Sequence, residues 1–234
     1  IPSAHRLEDI TQVSPYYIIR AMKPVRLKLS TVDQALPTGA SRFWGNPDLP
    51  RGFDYPMYKD FEGDDVPYVF VCQLDLSELA QMDAEGVLPH KGLLSFFAKI
   101  DHYTGNYFDT DSIGSAISDT DDVRVFYFED TRDMEQVVLI DDDDIPMAFH
   151  EMKIECTMEE SMEDHFVMAE PTYREWETWD HPYEDWQILL QIDSCEGSDF
   201  ALNFMDCGVL DFLIDPADLA ARRFDRVRAI VLST

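Results

Sequence analysis

Two carboxylates, Asp75 and Asp193, each close a repeated phrase, Gln73-Leu74-Asp75 and Gln191-Ile192-Asp193, and their pairing is the first chemistry to weigh. Two acids brought together by symmetry can share a proton and activate water, as in the aspartic proteases. That arrangement needs Asp-Thr or Asp-Ser followed by glycine, so that backbone can approach backbone. Here the continuations are Leu76-Ser77 and Ser194-Cys195, and both glycines are missing. Each Gln and Asp is therefore expected to hydrogen-bond a turn or cap a neighbouring helix. The competing reading is a hydrolase or small-ligand enzyme with its site between the two repeats, near Asp75 and Asp193.

Metal chemistry finds little to work with. The segment Asp109-Thr110-Asp111-Ser112-Ile113-Gly114 opens like a calcium loop, with carboxylates first and third and glycine sixth. It then fails, because Ile113 stands fifth and Thr120 twelfth, where a bidentate glutamate belongs. The histidines His5, His90, His102, His150, His165 and His181 show no close metal spacing. Cys72, Cys156, Cys195 and Cys207 form no C-x-x-C pair, and the expectation is buried thiols of a cytoplasmic protein. No metal and no other cofactor is expected. Nucleophile-elbow, P-loop and dinucleotide glycine patterns are absent as well.

The remaining chemistry is that of a binding surface. With 18 basic and 47 acidic residues the chain carries a formal charge of −29. Such a balance disfavours nucleic acid and anionic lipid, which are bound through clustered Lys and Arg. Its plainer reading is a solvated acidic surface, and its sharper one is steering toward a basic protein partner. Aromatic residues gather at Phe43, Trp44, Phe53 and Tyr55, and again at Tyr173, Trp176, Trp179, Tyr183 and Trp186. Core packing explains most such clusters, and any aromatics left exposed inside an acidic rim suit a protein interface. Candidate binding residues are Phe43, Trp44, Tyr55, Gln73, Asp75, Gln191 and Asp193, with the run Asp141, Asp142, Asp143 and Asp144 as a solvated acidic turn.

The elements that must position these residues are mostly strands. Tyr68–Asp75 followed by Gly92–Phe97 reads like Trp186–Asp193 followed by Gly208–Ile214, an apolar strand ending in Gln-apolar-Asp and then a glycine-led strand. Two pseudo-repeats, roughly 24–140 and 150–232, are expected to interlock in one domain covering residues 1–234. Further strands are predicted at 24–29, 121–128, 134–140 and 224–232. Short helices are predicted from Ser14-Pro15, from Asp75 and from Asp215-Pro216. Residues 36–56 read as an ordered loop rich in proline and glycine, and 150–185 as a helix, an insertion or a lid. No apolar run approaches the ~20 residues that span a bilayer.

The order Ser41-Arg42-Phe43-Trp44-Gly45-Asn46-Pro47-Asp48-Leu49-Pro50, then Tyr55-Pro56, then Gln73-Leu74-Asp75, Leu88-Pro89 and Gly92–Phe97, resembles the YwqG-like family, a domain of unknown function also called DUF1963. Leu189–Asp193 and Asp218-Leu219 carry the resemblance into the second half. The chain departs from the pattern at Trp44, where a second glycine is usual, and at Tyr55, where tryptophan is common. It also has Trp179-Asp180-His181-Pro182 where a glycine-rich stretch usually stands. The resemblance implies a mainly β, roll-like, internally duplicated fold and no established reaction. Some relatives are associated with bacterial secreted-toxin systems, so it also implies an immunity protein that masks a basic toxin or enzyme.

Overall fold

The computed structural model describes residues 22–101, 112–160, 162–170 and 179–233. The predicted helix at Ser14-Pro15, the start of the calcium-like loop at Asp109–Asp111, His5, His102, Tyr173 and Trp176 lie outside the described residues. The fold is mainly β. The first half of the chain supplies β1 (Val25–Thr31), β2 (Arg42–Phe43), β3 (Asp48–Pro50), β4 (Met57–Lys59), β5 (Asp65–Pro67), β6 (Val69–Asp75), β7 (Leu93–Ala98), β8 (Val123–Phe128) and β9 (Met134–Gln136). The second half supplies β10 (Met152–Thr157), β11 (Phe166–Ala169), β12 (Gln187–Asp193), β13 (Cys195–Glu196), β14 (Ala201–Leu202), β15 (Val209–Ile214) and β16 (Arg228–Leu232). Two short helices, α1 (Leu76–Leu79) and α2 (Pro216–Ala220), start at Asp75 and Asp215, whose carboxylates accept backbone N–H groups of the first turn.

Ten strands form one antiparallel sheet in the order β16-β15-β12-β11-β1-β10-β2-β6-β7-β8. Counted inward from its two edges, β8 and β16, β7 and β15, β6 and β12, β2 and β11, and finally β10 and β1 take matching places. The registers match too. Gln73 faces Ser95 and Gln191 faces Asp211, and each long pair carries an irregularity at its start, between Phe70 and Cys72 and between Ile188 and Leu190. At the centre β1 and β10 pair with one another, β1 lying beside β11 and β10 beside β2. Each half thus lends its first strand to the other.

The sheet curves nearly closed around its core. Phe96 of β7 and Phe212 of β15, which are not neighbours in the sheet, meet with ring centroids 5.2 Å apart, and one buried cluster draws on strands of both halves. At the outer edge of β16 the segment 114–118 adds hydrogen bonds, Val231 N–H to Gly114 O at 2.9 Å and Ser118 N–H to Ala229 O at 2.8 Å. It then leads through a 3-10 turn at Thr120–Asp122 into β8, joining the two edges by a single segment. Capping an open edge in this way removes a template for aggregation. No helix among the described residues is long and apolar enough to cross a membrane.

Two expectations need correction. Residues 150–185 hold β10 and β11 at the middle of the sheet, and the alternation Met152-Lys153-Ile154-Glu155, buried and exposed in turn, was the available signal. The strand predicted over 134–140 ends at Gln136, where pairing with β3 stops and a hairpin takes over.

Candidate functional site

Two hairpins stand on the outer face of the first half and end in the same five-residue turn. In the hairpin of β4 and β5, Asp60 Oδ1 accepts the N–H groups of Glu62 at 2.9 Å and Asp64 at 2.8 Å, and Asp60 N–H donates to Asp64 O. In the hairpin 137–147, Asp141 Oδ1 accepts the N–H groups of Asp143 and Ile145, both at 2.9 Å, and Asp141 N–H donates to Ile145 O. The fourth residue of each turn has a positive φ, 91° at Gly63 and 60° at Asp144. One acid of each tip therefore builds the turn. The others, Glu62 and Asp64 on one tip and Asp142, Asp143 and Asp144 on the other, are exposed. Asp141→Ala is expected to speed amide exchange at Asp143 and Ile145 roughly tenfold, since two hydrogen bonds of about 1 kcal/mol each lose their acceptor. Asp141→Asn keeps the oxygen and is expected to leave exchange unchanged.

Nine large apolar side chains are exposed among the described residues; six of them lie in these hairpins, and a seventh, Phe53, lies in the loop leading to β4. They are Phe53, Met57 and Phe61 on one side and Val138, Ile140, Ile145 and Met147 on the other, with Phe61 82% exposed at its tip. Clustering on this scale is unusual for a surface that meets only water. Between the hairpins opens a cavity of about 300 Å³, walled by Tyr58, Val66 and Pro67, by Val137, Leu139 and Met147, and by Trp44 and Phe149, over a floor of Tyr55, Tyr68 and Phe70. The Tyr55 hydroxyl donates to Tyr68 O at 2.9 Å and the Tyr68 hydroxyl to Asp121 O at 2.6 Å. Burial holds the Tyr55 phenol well above its ordinary range, so it stays protonated. Both floor hydroxyls are thus engaged with backbone carbonyls, and the floor offers mainly ring surface. Lys99 lies 4.7 Å over the Tyr58 ring and bonds Asp122 at 3.0 Å.

A buried polar network fixes the Trp44 wall. Arg42, Asp48 and Gln73 are fully buried. Asp48 Oδ2 accepts from Arg42 Nη2 at 2.9 Å, from Gln73 Nε2 at 2.6 Å and from Gly39 N–H at 2.8 Å. Gln73 Oε1 accepts Asp48 N–H at 2.9 Å. Arg42 Nη1 donates to Glu151 Oε2 at 2.6 Å, tying the loop to the chain that enters β10. Trp44 adopts φ 53°, a conformation that suits glycine, while its ring packs against Phe43, Phe149 and Phe200. The left-handed backbone is thus kept here without a glycine, held by packing on three rings.

The predicted residues divide between the interior and the surface. Phe43, Gln73 and Gln191 are fully buried, and Trp44 is nearly so, lining the cavity. Tyr55 belongs to the cavity floor, and Asp142–Asp144 to an exposed tip. Asp75 caps α1 through Ser77 N–H at 2.9 Å, and its own N–H donates to Ser41 Oγ. Asp193 Oδ2 accepts Asp164 N–H at 3.0 Å, and its N–H donates to His165 Nδ1 at 3.0 Å. That bond leaves the hydrogen of neutral His165 on Nε2, 3.4 Å from Glu163 Oε2, and the contact lowers the Glu163 pKa. The two aspartates thus serve separate turns. Sequence reasoning did not single out Arg42, Asp48 and Glu151: Glu151 is 109 residues from Arg42, and Asp48, only six away, matches no motif that would mark it as the partner.

The cysteines are free thiols. Burial pushes those of Cys156 and Cys195 up to about 12, and that of Cys72 higher still, which favours the protonated thiol at neutral pH. Against the expectation of buried thiols, Cys207 is exposed and Cys156 only half-buried.

Fold and site together define a mainly β protein whose nearly closed sheet carries an apolar cavity between two acid-tipped hairpins. A family model described as "Domain of unknown function (DUF1963)" matches residues 41–181 and 165–231, and the chain belongs to that family. No curated protein matches it.

Proposed function

We propose that this is a non-catalytic binding protein that receives a basic protein partner on the outer face of its first half. The observation that carries the reading is the coincidence of the exposed apolar side chains with the acidic tips of the same two hairpins. Apolar area supplies affinity, and the acids supply steering and exclude acidic competitors. An immunity protein masking a basic toxin or enzyme is one form of this function, and a cytoplasmic setting accords with the free thiols. Asp75 and Asp193, each engaged with its own turn, lend no support to the hydrolase alternative. We also take the two halves to be a duplicated unit, which the matching strand places and registers support. Superposing 69–98 on 187–214 tests this, and a fit that fails to bring Gln73 onto Gln191 rejects it.

Affinity capture is expected to retain a basic protein, in larger amount at low salt than at high salt. Its association rate is expected to fall steeply as the Debye length contracts from ~10 Å at 0.1 M to ~3 Å at 1 M. Replacing Asp142, Asp143 and Asp144 with Asn, leaving Asp141 to hold the turn, should slow association more than it speeds dissociation. A salt-independent rate, or an acidic partner, rejects the reading.

A further inference from the structure

Resting on that reading, we propose that the cavity between the hairpins is an anchor site for one aromatic side chain of a basic polypeptide segment, with flanking Lys or Arg residues reaching the two acidic tips. The cavity is about 300 Å³, at the lower end of the range that holds small ligands, which suits a single large side chain and not an extended apolar molecule. Its walls are the rings of Trp44, Tyr58 and Phe149 and the side chains of Leu139 and Met147, surfaces that accept an aromatic ring edge-on or face-on. Met147 suits such a site because an unbranched thioether adapts its shape and makes favourable contacts with ring edges.

The occupant is argued from the charge carried by the two hairpins that wall the cavity. Glu62 and Asp64 stand exposed on the tip of one and Asp142 and Asp143 on the tip of the other. An acidic segment meets repulsion on both sides, and a free aromatic molecule gains nothing from either. A peptide with cations on both sides of a ring uses the cavity and both tips at once. Aromatic side chains seated in a well-packed pocket and ringed by peripheral contacts are the usual centres of binding energy.

Three peptides and one small molecule test this on the full chain. The peptides carry a central Trp flanked by lysines, a central Ala flanked by lysines and a central Trp flanked by glutamates, and the small molecule is indole. Methyl resonances of Leu139 and Met147 report occupancy by NMR. The lysine-flanked Trp peptide is expected to shift both, with the Ala and glutamate peptides each weaker by about tenfold or more, as loss of an anchor or of its charge complement implies. Ala148→Trp, which fills the cavity from its rim, should abolish the shifts while leaving the thermal midpoint and the salt-dependent association of the partner's charge intact. No shift with any peptide, or equal affinity for indole and for the lysine-flanked Trp peptide, overturns the anchor. Equal binding of the glutamate-flanked peptide overturns the charge selection. A captured partner that binds Ala148→Trp as tightly as the parent chain removes the anchor but leaves the steering reading standing. Loss of salt dependence with the methyl shifts retained does the reverse.

Discussion

Replacing Arg42 with methionine is expected to lower the free energy of unfolding by about 3–5 kcal/mol, the range seen when one member of a buried ion pair is removed. The guanidinium is fully buried and bonds Asp48 Oδ2, Pro37 O and Glu151 Oε2, so its loss leaves two carboxylates without a cation. Asp48 would then hold its charge through Gln73 Nε2 and Gly39 N–H alone. It must either take up a proton or open the loop to water, and both costs weaken the fold. Pairing Arg42→Met with Asp48→Asn is expected to recover part of the loss, giving a double-mutant coupling of at least about 1 kcal/mol. Urea unfolding followed by tryptophan fluorescence measures both. An unchanged urea midpoint for Arg42→Met would mean that the network is not a determinant of stability, and the wall of the cavity would need another support.

Alanine at Gly92 and at Gly208 is expected to destabilise the chain by about 3 kcal/mol or more at each position, through overpacking against rigid backbone. A Cβ on Gly92 would collide with the carbonyl of Phe128 at the end of β8, and one on Gly208 with the carbonyl of Leu232 at the end of β16. Neither oxygen can rotate away, because each belongs to a strand in the sheet. Gly92 also has φ 89°, which adds strain for any L side chain, so its substitution should be the worse of the two. Gly114→Ala is the control. Its added methyl has nothing within 4 Å, and the thermal midpoint should barely move. Near-neutral behaviour at Gly208 would show that the edge strand β16 can shift to make room.

The glycine that opens each second strand was legible as a pattern, but its reason was not. Sequence shows Gly92 and Gly208 ahead of apolar runs; only the sheet shows that each passes under the last residues of an edge strand. Asp75 is a case where the reading transferred directly. An acid ahead of Leu76-Ser77-Glu78-Leu79 is a local cap signal, and the carboxylate makes that bond. Strands β6, β7, β8, β12, β15 and β16 were equally legible, because their apolar runs are long and bounded by turn residues. Strand β2, two residues within a loop full of proline and glycine, had no periodicity to show. Its place in the sheet comes from Arg42 and Phe43 pairing with Gln73 and Cys72 on one side and Lys153 and Met152 on the other.

The candidate site divides in the same way. The acid runs at 60–65 and 141–144 and the aromatic cluster at 43–55 are properties of the chain, present before folding. Their charge and ring surface follow from composition alone. That Asp141 builds its turn while Asp142 and Asp143 face solvent is decided by backbone geometry within five residues. That Tyr58 and Met147, about ninety residues apart, wall one cavity is decided by the sheet, which seats both hairpins on the same face. Local preferences act over one or two turns of chain. The cavity exists because long-range strand pairing brings together segments with no local reason to meet.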